Sequence, residues 1–191
     1  MKRIEEVKRH AVRLMAQKGF EAMSLRQLAS SLGMSSGAIY SHYESKAQLL
    51  MEVYCDYLEG LLSVWAKHRD PLMDRTRMLQ RFVSVYVGFH FSRPAESVIV
   101  QLDFRSLEPA DQQRVEELKG KYQAELEAIL QRNSSRGVSQ IADRQDTSVT
   151  ILCVLQGVCS SPALTESRAL DICLRSVARL VGVPSRNKPQ A

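Results

Sequence analysis

The fold is decided by residues 24–46, which read Ser-Leu-Arg-Gln-Leu-Ala-Ser-Ser-Leu-Gly-Met-Ser-Ser-Gly-Ala-Ile-Tyr-Ser-His-Tyr-Glu-Ser-Lys. Ser24 is placed to cap a helix, and Gln27 three residues later completes the pattern of a capping box. Apolar residues then recur at helical spacing as far as Gly33, a residue type that ends helices by adopting a positive φ. Ser35 is a suitable cap for a second helix. The stretch therefore predicts two short helices joined by a tight turn.

The second of these helices separates its apolar residues from its small and polar ones. Ile39 and Tyr43 fall on the inner side, and the small Ala29 of the first helix lets the two helices cross closely. The outer side holds Ser36, Gly37, Ala38, Tyr40 and His42. This arrangement predicts a helix-turn-helix whose second helix is free to enter a DNA major groove. A pair of helices that packs without binding DNA is the alternative interpretation of the same pattern.

The run from Leu32 to Lys46 resembles the signature of the TetR family of transcriptional regulators. The resemblance rests on the order Gly, apolar, Ser, any residue, Gly, small, apolar, Tyr, any residue, His, aromatic and, three residues later, Lys. It covers about the first quarter of the chain, and this chain has Leu25 where the family often has Thr. The resemblance implies a DNA-binding head, a helical effector-binding domain, and dimers that pair the last two helices of each subunit.

The resemblance and the shared outer side together indicate which residues contact DNA. Tyr40, His42 and Lys46 are expected at phosphates, and the small residues of the second helix are expected nearest the base edges. Because Ser, Gly and Ala can distinguish few bases, DNA shape and phosphates should carry much of the specificity. The predicted set is Ser24, Arg26, Gln27, Ser35, Ser36, Gly37, Ala38, Tyr40, His42 and Lys46.

The distribution of charge agrees with a DNA-facing head. The chain of 191 residues carries a net charge of +5, and its first 46 residues hold eight Lys or Arg but only four Asp or Glu. A basic segment on a nearly neutral body is typical of phosphate-facing modules. No apolar run approaches the roughly 18 residues of a membrane-spanning helix, and no secretory signal is visible at the N-terminus. We therefore expect a cytoplasmic protein with no membrane partner.

Helical periodicity continues beyond the head. A capping box at Ser45 opens a long helix that runs to about Trp65, and the remaining segments bring the count to about nine helices with no strand. The fold class is therefore all-α, with an N-terminal three-helix bundle followed by a larger helical effector-binding and dimerisation domain. The predicted boundaries are 1–46 for the DNA-binding domain, 47–184 for the second domain and 185–191 for a disordered tail.

The last two predicted helices, at roughly 146–160 and 165–181, are nearly all apolar. A helix that is apolar most of the way round must be buried on more than one side. In a chain of this size a second subunit is the natural cover, and a monomer core is the alternative. We therefore predict a homodimer whose interface includes Leu152, Leu155, Cys159, Ile172 and Val177.

The chain lacks the residue patterns of common catalytic and metal sites. Its four histidines are scattered, and no H-x-x-x-H spacing, G-x-S-x-G motif or Gly-rich phosphate loop occurs. The four cysteines lie in apolar helical patterns without a C-x-x-C pair, so buried reduced thiols are expected. We predict that the protein is not an enzyme and that it holds neither a metal nor a cofactor.

Side chains of the middle helices are the candidates for an effector cavity. Aromatic residues at helical spacing are more often plain core, and that alternative stays open. Arg105 stands out because a partly buried arginine needs an anion, which Asp103, Glu108 or an anionic ligand can supply. The predicted effector-binding set is Phe82, Tyr86, Phe89, His90, Gln101, Phe104, Arg105 and Tyr122.

These patterns favour a ligand-responsive DNA-binding transcriptional regulator. The expected partners are a near-palindromic operator in double-stranded DNA, a second copy of the chain and a small-molecule effector, and repression is the habit of the family. Two alternatives remain. One is a helical adaptor whose basic head binds another protein, and the other is a helical enzyme that acts on a small molecule.

Overall fold

The computed structural model describes residues 2–132 and 143–182. Within these ranges it contains nine α-helices, one 3-10 turn and no strand, which confirms the predicted all-α class. The helices are α1 (Lys2–Lys18), α2 (Leu25–Ser31), α3 (Ser36–Tyr40), α4 (Lys46–His68), α5 (Arg75–Ser92), α6 (Pro94–Leu102), α7 (Pro109–Gln131), α8 (Arg144–Cys159) and α9 (Glu166–Leu180), and the 3-10 turn is Phe104–Ser106. The tail predicted from residue 185 lies outside the described residues.

Side-chain caps explain where α2 and α4 begin. Ser24 Oγ accepts a hydrogen bond from the Gln27 amide at 3.2 Å, and Gln27 Oε1 accepts one from the Ser24 amide at 3.1 Å, so the predicted capping box is confirmed. At α4, Ser45 Oγ accepts from the Gln48 amide at 3.1 Å, but Gln48 Oε1 accepts from the Glu44 amide at 2.8 Å. The second predicted box is therefore only half formed, because the glutamine side chain reaches one residue further back.

Packing divides the chain into two compact units. The first unit comprises Met1–Gly60 and Arg93–Leu118, and so contains α1 to α3, α6 and the first parts of α4 and α7. Its buried core includes Ala11, Leu28, Ile39, Leu49, Leu50, Ile99 and Val115. This division by packing does not test the functional boundary placed after residue 46, which stays a prediction.

The second unit comprises Leu61–Ser92 and Lys119–Ala191. In its described part, α5 packs against both α8 and α9, which also pack against each other. A cluster of buried aromatic side chains lies among the end of α4, α5 and α7, and it consists of Trp65, Phe82, Tyr86 and Tyr122. The unit therefore has a core of its own.

The surface of α9 differs from the nearly all-apolar helix expected. Its apolar residues recur every three or four positions, and the buried stripe consists of Ala169, Cys173 and Val177. On another face, Asp171 Oδ2 pairs with Arg168 at 3.1 Å and with Arg175 at 2.9 Å. The expectation of a nearly all-apolar helix was wrong for α9, because charged residues occupy one of its faces.

The expectation of buried cysteines holds for one residue only. Cys173 is buried, Cys55 and Cys159 are half-buried, and Cys153 is exposed, while all four are free. Burial raises the pKa of the Cys55 thiol above its ordinary value. The prediction that Cys153 is buried was wrong because α8 carries apolar residues on its solvent side as well as on its core side.

Candidate nucleic-acid interface

The turn between α2 and α3 is built by its backbone. The Met34 amide donates to the Ala29 carbonyl at 2.9 Å, and Gly33 adopts a φ of +63°, the left-handed conformation that glycine tolerates best. Ser35 Oγ then accepts from the Ala38 amide at 3.2 Å and caps α3. Ala29 is buried where the helices meet. These contacts give α3 a defined starting point and direction.

The residues of α3 and of the turn after it point in the predicted directions. Ile39 of α3 is fully buried, and Tyr43, which follows α3, is 1% exposed, so both point into the core of the first unit. The Tyr40 side chain is 46% exposed, and a Cβ added at Gly37 would meet nothing within 4 Å. The outer side of α3 therefore leaves room for close approach of another molecule.

Most of the predicted DNA-binding residues are accessible. The exposed ones are Ser24, Arg26, Gln27, Ser35, Ser36, Gly37, Tyr40 and His42, and the half-buried ones are Ala38 and Lys46. They come from the start of α2, from α3 with its flanking residues, and from the first residue of α4. Their individual roles stay predictions.

Lys46 makes contacts that the sequence did not indicate. Its Nζ lies 3.0 Å from Glu21 Oε2 and donates to the Phe20 carbonyl at 3.4 Å. The ammonium group also lies 4.3 Å from the centroid of the Phe20 ring, within the range of a cation–π contact. Lys46 therefore joins the start of α4 to the turn after α1. These partners lie 25 and 26 residues away in the chain, where no local pattern reveals them.

A polar cluster behind α3 was also missed, and it consists of Lys8, Tyr43, Glu52 and Asp56. Lys8 Nζ lies 3.1 Å from Glu52 Oε2 and 2.7 Å from Asp56 Oδ2. Tyr43 donates its hydroxyl to Glu52 Oε2 at 3.3 Å. Burial, with a contribution from the Glu52 charge, raises the pKa of Tyr43 to about 12. Burial alone would lower the pKa of Lys8, but its hydrogen bonds to Asp56 and Glu52 hold that pKa above its ordinary value.

Five predicted effector-binding residues lie in the second unit and are buried there, namely Phe82, Tyr86, Phe89, His90 and Tyr122. Phe82 stacks on Tyr122 with ring centroids 4.7 Å apart, and Tyr86 stacks on His90 at 4.5 Å. Burial lowers the pKa of His90 to about 4, so its imidazole is neutral at pH 7. The aromatic rings pack against one another in this structure.

The other three predicted effector-binding residues lie in the first unit. Gln101 donates to Ser97 Oγ at 3.2 Å, and Phe104 lies against Tyr54 with ring centroids 6.5 Å apart. The Arg105 side chain is exposed on the 3-10 turn. The expectation that Arg105 is partly buried was therefore wrong, and the need for an anionic partner disappears because water can solvate an exposed guanidinium.

An open groove of about 740 Å³ runs along the second unit between the end of α4 and one side of α5. Its lining residues are Val64, His68, Met73, Arg77, Gln80, Arg81, Ser84, Val85, Gly88, Phe89 and Ser92. Arg81 donates to the His68 carbonyl at 3.2 Å, which ties its guanidinium to the end of α4. The described lining contains no acidic residue, and its apolar members include Val64, Val85 and Phe89. The groove therefore suits a molecule with an apolar body and an anionic group.

Burial separates the predicted dimer-interface residues into two groups. Leu155 is 0% exposed and Val177 is 3% exposed in the single chain, so these two belong to the core of the subunit. They offer a second copy almost no free surface, and their assignment to a subunit interface stays a prediction. Leu152, Cys159 and Ile172 are half-buried and retain surface that a second copy can contact.

Comparison with known proteins identifies the family. Residues 9–53 match the family model of bacterial regulatory proteins of the tetR family, and residues 74–160 match the tetracyclin repressor-like C-terminal domain. The chain belongs to the TetR family. It is 28% identical over 154 residues to the HTH-type transcriptional repressor KstR2 of Mycolicibacterium smegmatis. The aligned region covers 78% of this chain and 72% of that protein.

Two solved structures share the TetR-family fold. A bacterial regulatory protein from Rhodococcus RHA1 is 24% identical, with a TM-score of 0.85 and coverage of 96% of this chain and 97% of that chain. AibR, in a complex with isovaleryl coenzyme A and operator DNA, is 18% identical, with a TM-score of 0.79 and coverage of 95% and 98%. At these identities the likeness concerns the fold.

Membership of the TetR family confirms the predicted ligand-responsive DNA-binding transcriptional regulator. It also confirms that the chain is not an enzyme, since the proteins of this family regulate transcription. As a TetR-family regulator, the protein binds operator DNA and a small-molecule effector. Among the described helices, none combines the length and the apolar character that crossing a bilayer requires.

Proposed function

We propose that this protein is a cytoplasmic repressor that binds a near-palindromic operator as a homodimer and leaves it when an effector binds. The observation that carries the proposal is the capped helix-turn-helix, which presents an accessible outer side of α3. Its relative KstR2 of M. smegmatis is described as a repressor, which supports this direction of regulation.

The geometry of α3 supports shallow base contacts reinforced by phosphates. Ser36, Gly37 and Ala38 have short side chains, so their backbone can approach the base edges closely. Tyr40 and His42 are exposed beyond them and can donate to phosphates. Specificity then depends on the placement of the whole helix and on DNA shape.

A homodimer places two copies of α3 on one DNA duplex. Two-fold symmetry requires half-sites about one helical turn, or a multiple, apart, which makes the operator near-palindromic. The half-buried apolar residues of α8 supply a surface for the second copy, since Val149 is exposed and Leu152 is half-buried. The partner would bury this apolar area at the dimer centre.

The proposed effector is an amphipathic anion that lies in the groove of α4 and α5. Arg77 and Arg81 in the lining suit a carboxylate or phosphate, although Arg77 Nε also lies 4.0 Å from Asp74 Oδ2. The apolar lining residues suit an acyl or ring system. An acyl thioester of coenzyme A has both parts, and AibR, which has the same fold, is described with isovaleryl coenzyme A.

Mobility shift of DNA fragments that flank the protein's own coding region tests the proposal. We expect a shift that prefers one fragment, weakens with salt and is reversed by an acyl-coenzyme A. Binding of all fragments alike would contradict an operator-specific repressor. A complex that contains one subunit per operator would contradict the homodimer.

A further inference from the structure

The polar cluster behind α3 connects three helices of the first unit. Tyr43 follows α3, Lys8 belongs to α1, and Glu52 and Asp56 belong to α4. Glu52 Oε2 is shared, because it accepts from Tyr43 Oη at 3.3 Å and lies 3.1 Å from Lys8 Nζ. One carboxylate of α4 therefore holds both the residue behind α3 and the residue on α1.

Tyr43 moves with the end of α3. Its amide donates to the Ile39 carbonyl at 3.0 Å, which fastens it to the last turn of that helix. The ring is 1% exposed, so the hydroxyl reaches Glu52 from within the core. A displacement of α3 relative to α4 would therefore lengthen or bend this hydrogen bond.

Lys8 in turn holds Glu52 in place. The Lys8 side chain is 16% exposed, and its ammonium group is bound by two carboxylates, those of Glu52 and Asp56, one helical turn apart on α4. Charge-assisted hydrogen bonds of this kind are shorter and stronger than neutral ones. Lys8 thus restricts where the Glu52 carboxylate can lie and, through it, where the Tyr43 hydroxyl can lie.

Apolar packing does not impose the same restriction. Burial of an aromatic ring is favourable in many orientations, because the hydrophobic effect is not directional, whereas a hydrogen bond weakens as its angle departs from linear. A phenylalanine at position 43 would fill the same space but would not fix the angle. The Tyr43 hydroxyl therefore adds orientation to a contact that the ring already stabilises.

We propose that Tyr43 and Lys8 act through Glu52 as positioning residues that orient α3 for operator recognition. This inference rests on the proposal that α3 faces the DNA. Orientation matters here because the small side chains Ser36, Gly37 and Ala38 cannot reach across a gap to the base edges. A small rotation of α3 removes their contacts but leaves the flexible phosphate contacts largely intact, so operator binding falls more than non-specific binding.

Tyr43→Phe tests the inference, with Tyr54→Phe as the matched control. Tyr54 lies on α4 of the same unit and donates its hydroxyl to the Ile99 carbonyl at 3.2 Å, away from α3. Both variants lose one hydrogen-bonded hydroxyl, so both should lower Tm. Only Tyr43→Phe should lower the ratio of operator to non-specific affinity, by about tenfold. Fluorescence anisotropy with both DNAs, well below Tm, measures this ratio.

Lys8 variants test whether the cluster acts as one unit. Lys8→Met should reduce the same ratio, and Lys8→Arg should restore most of it because a cation again binds both carboxylates. The double variant Tyr43→Phe/Lys8→Met should lose little more than either single variant, since both act through Glu52. An additive loss would contradict this connection.

Failure of the inference is distinguishable from failure of the proposed function. If Tyr40→Ala weakens DNA binding while Tyr43→Phe and Tyr54→Phe give the same affinity ratio, α3 faces DNA but the cluster does not orient it. If Tyr40→Ala and Ser36→Glu leave operator affinity unchanged, α3 does not face DNA, and the proposed interface itself is wrong.

Discussion

Lys46 has two possible partners for one ammonium group. In the free protein it lies 3.0 Å from Glu21 Oε2, but the Glu21 side chain is 80% exposed. An ion pair this open contributes about 0–1 kcal/mol, so a DNA phosphate can displace or share it. The contact to Phe20 keeps the lysine at the start of α4, where the helix N-terminus also favours an anion.

Lys46→Ala should weaken binding to every DNA sequence. We expect the slope of log affinity against log salt to flatten by about 0.9, the effect of one lost phosphate contact. Glu21→Gln should strengthen binding slightly, because it removes a negative charge that competes for Lys46. Anisotropy titrations between low and moderate salt measure both slopes. A Lys46→Ala slope equal to that of the wild type would restrict this residue to its intramolecular role.

His90 should make stability depend on pH. Its ordinary pKa of 6.5 applies to the unfolded chain, and burial lowers the folded-state pKa to about 4. The unfolded state therefore binds this proton first as pH falls, so stability is fully present above about pH 6.5 and is lost towards pH 4. Between pH 7 and pH 5, the free energy of unfolding of the wild type should fall by about 2 kcal/mol more than that of His90→Phe. Urea unfolding at the two pH values measures this difference. Equal losses would contradict a buried neutral His90.

At the scale of the helices, α2 and α3 could be predicted because the residues that start and end them act locally. The Ser24 capping box, Gly33 and the Ser35 cap each act within four residues, and all three are present. The expectation for α9 failed because its many apolar residues suggested burial all round, whereas charged Arg168 and Asp171 occupy a separate face. Where a helix packs depends on partners that local sequence does not name.

Two positions on α8 that differ in burial test the dimer prediction. Leu152 is half-buried and Leu155 is fully buried. Leu152→Asp should give a folded monomer, because it places a charge in the subunit interface only. Leu155→Asp should unfold the subunit, because an unpaired charge in the core costs several kcal/mol. Sedimentation velocity and circular dichroism distinguish the two outcomes.

The exposed Gln156 offers a control on the same helix. Gln156→Asp adds the same charge as Leu152→Asp, so it shows whether charge on α8 alone changes assembly. A wild-type protein that sediments as a monomer at micromolar concentration would end the dimer proposal. A Leu152→Asp variant that stays dimeric would move the interface away from this side of α8.

At the scale of the whole molecule, long-range contacts set the limit of sequence reasoning. The cluster of Lys8, Tyr43 and Glu52 joins residues separated by as many as 44 positions, and each alone reads as an ordinary surface or core residue. The groove was not predicted from the sequence for a related reason. Arg77 and Arg81 look like the solvated face of α5 until the end of α4 is placed beside them. Helical spacing could group the aromatic residues predicted to bind the effector, but only the structure shows which of them pack together, namely Phe82, Tyr86, His90 and Tyr122.

The position of the groove gives the effector a route to α4. Both Val64 and His68 line it, and both belong to the same continuous helix that begins at Lys46. We propose that an effector bound there shifts α4 and so changes the placement of the DNA-binding helices in the proposed dimer. By linkage, an effector that weakens operator binding must bind the DNA-bound protein less tightly by the same factor, typically about 5- to 150-fold.

Trp65 can report this binding, since it is the only tryptophan of the chain. Its ring lies 5.0 Å from that of Phe82, and its Nε1 donates to Glu125 Oε2 at 2.9 Å, so a shift of α4 should change its emission. Acyl-coenzyme A should change the emission with saturation, and free coenzyme A should bind more weakly because it lacks the apolar part. Arg77→Gln/Arg81→Gln should weaken acyl-coenzyme A binding by at least tenfold while leaving operator affinity without effector unchanged.

Arg105→Gln distinguishes two candidate effector sites, the groove of α4 and α5 and the site around Arg105 that the sequence predicted. Arg105 is an exposed arginine of the first unit, so its loss removes one positive charge from a different place, against two in the double variant. If the effector binds in the groove, Arg105→Gln should respond to acyl-coenzyme A like the wild type, both in Trp65 emission and in release from the operator. If Arg105→Gln loses the response and Arg77→Gln/Arg81→Gln keeps it, the groove is not the effector site. Release of the operator by a neutral apolar compound, unaffected by any of these variants, would instead rule out an anionic effector.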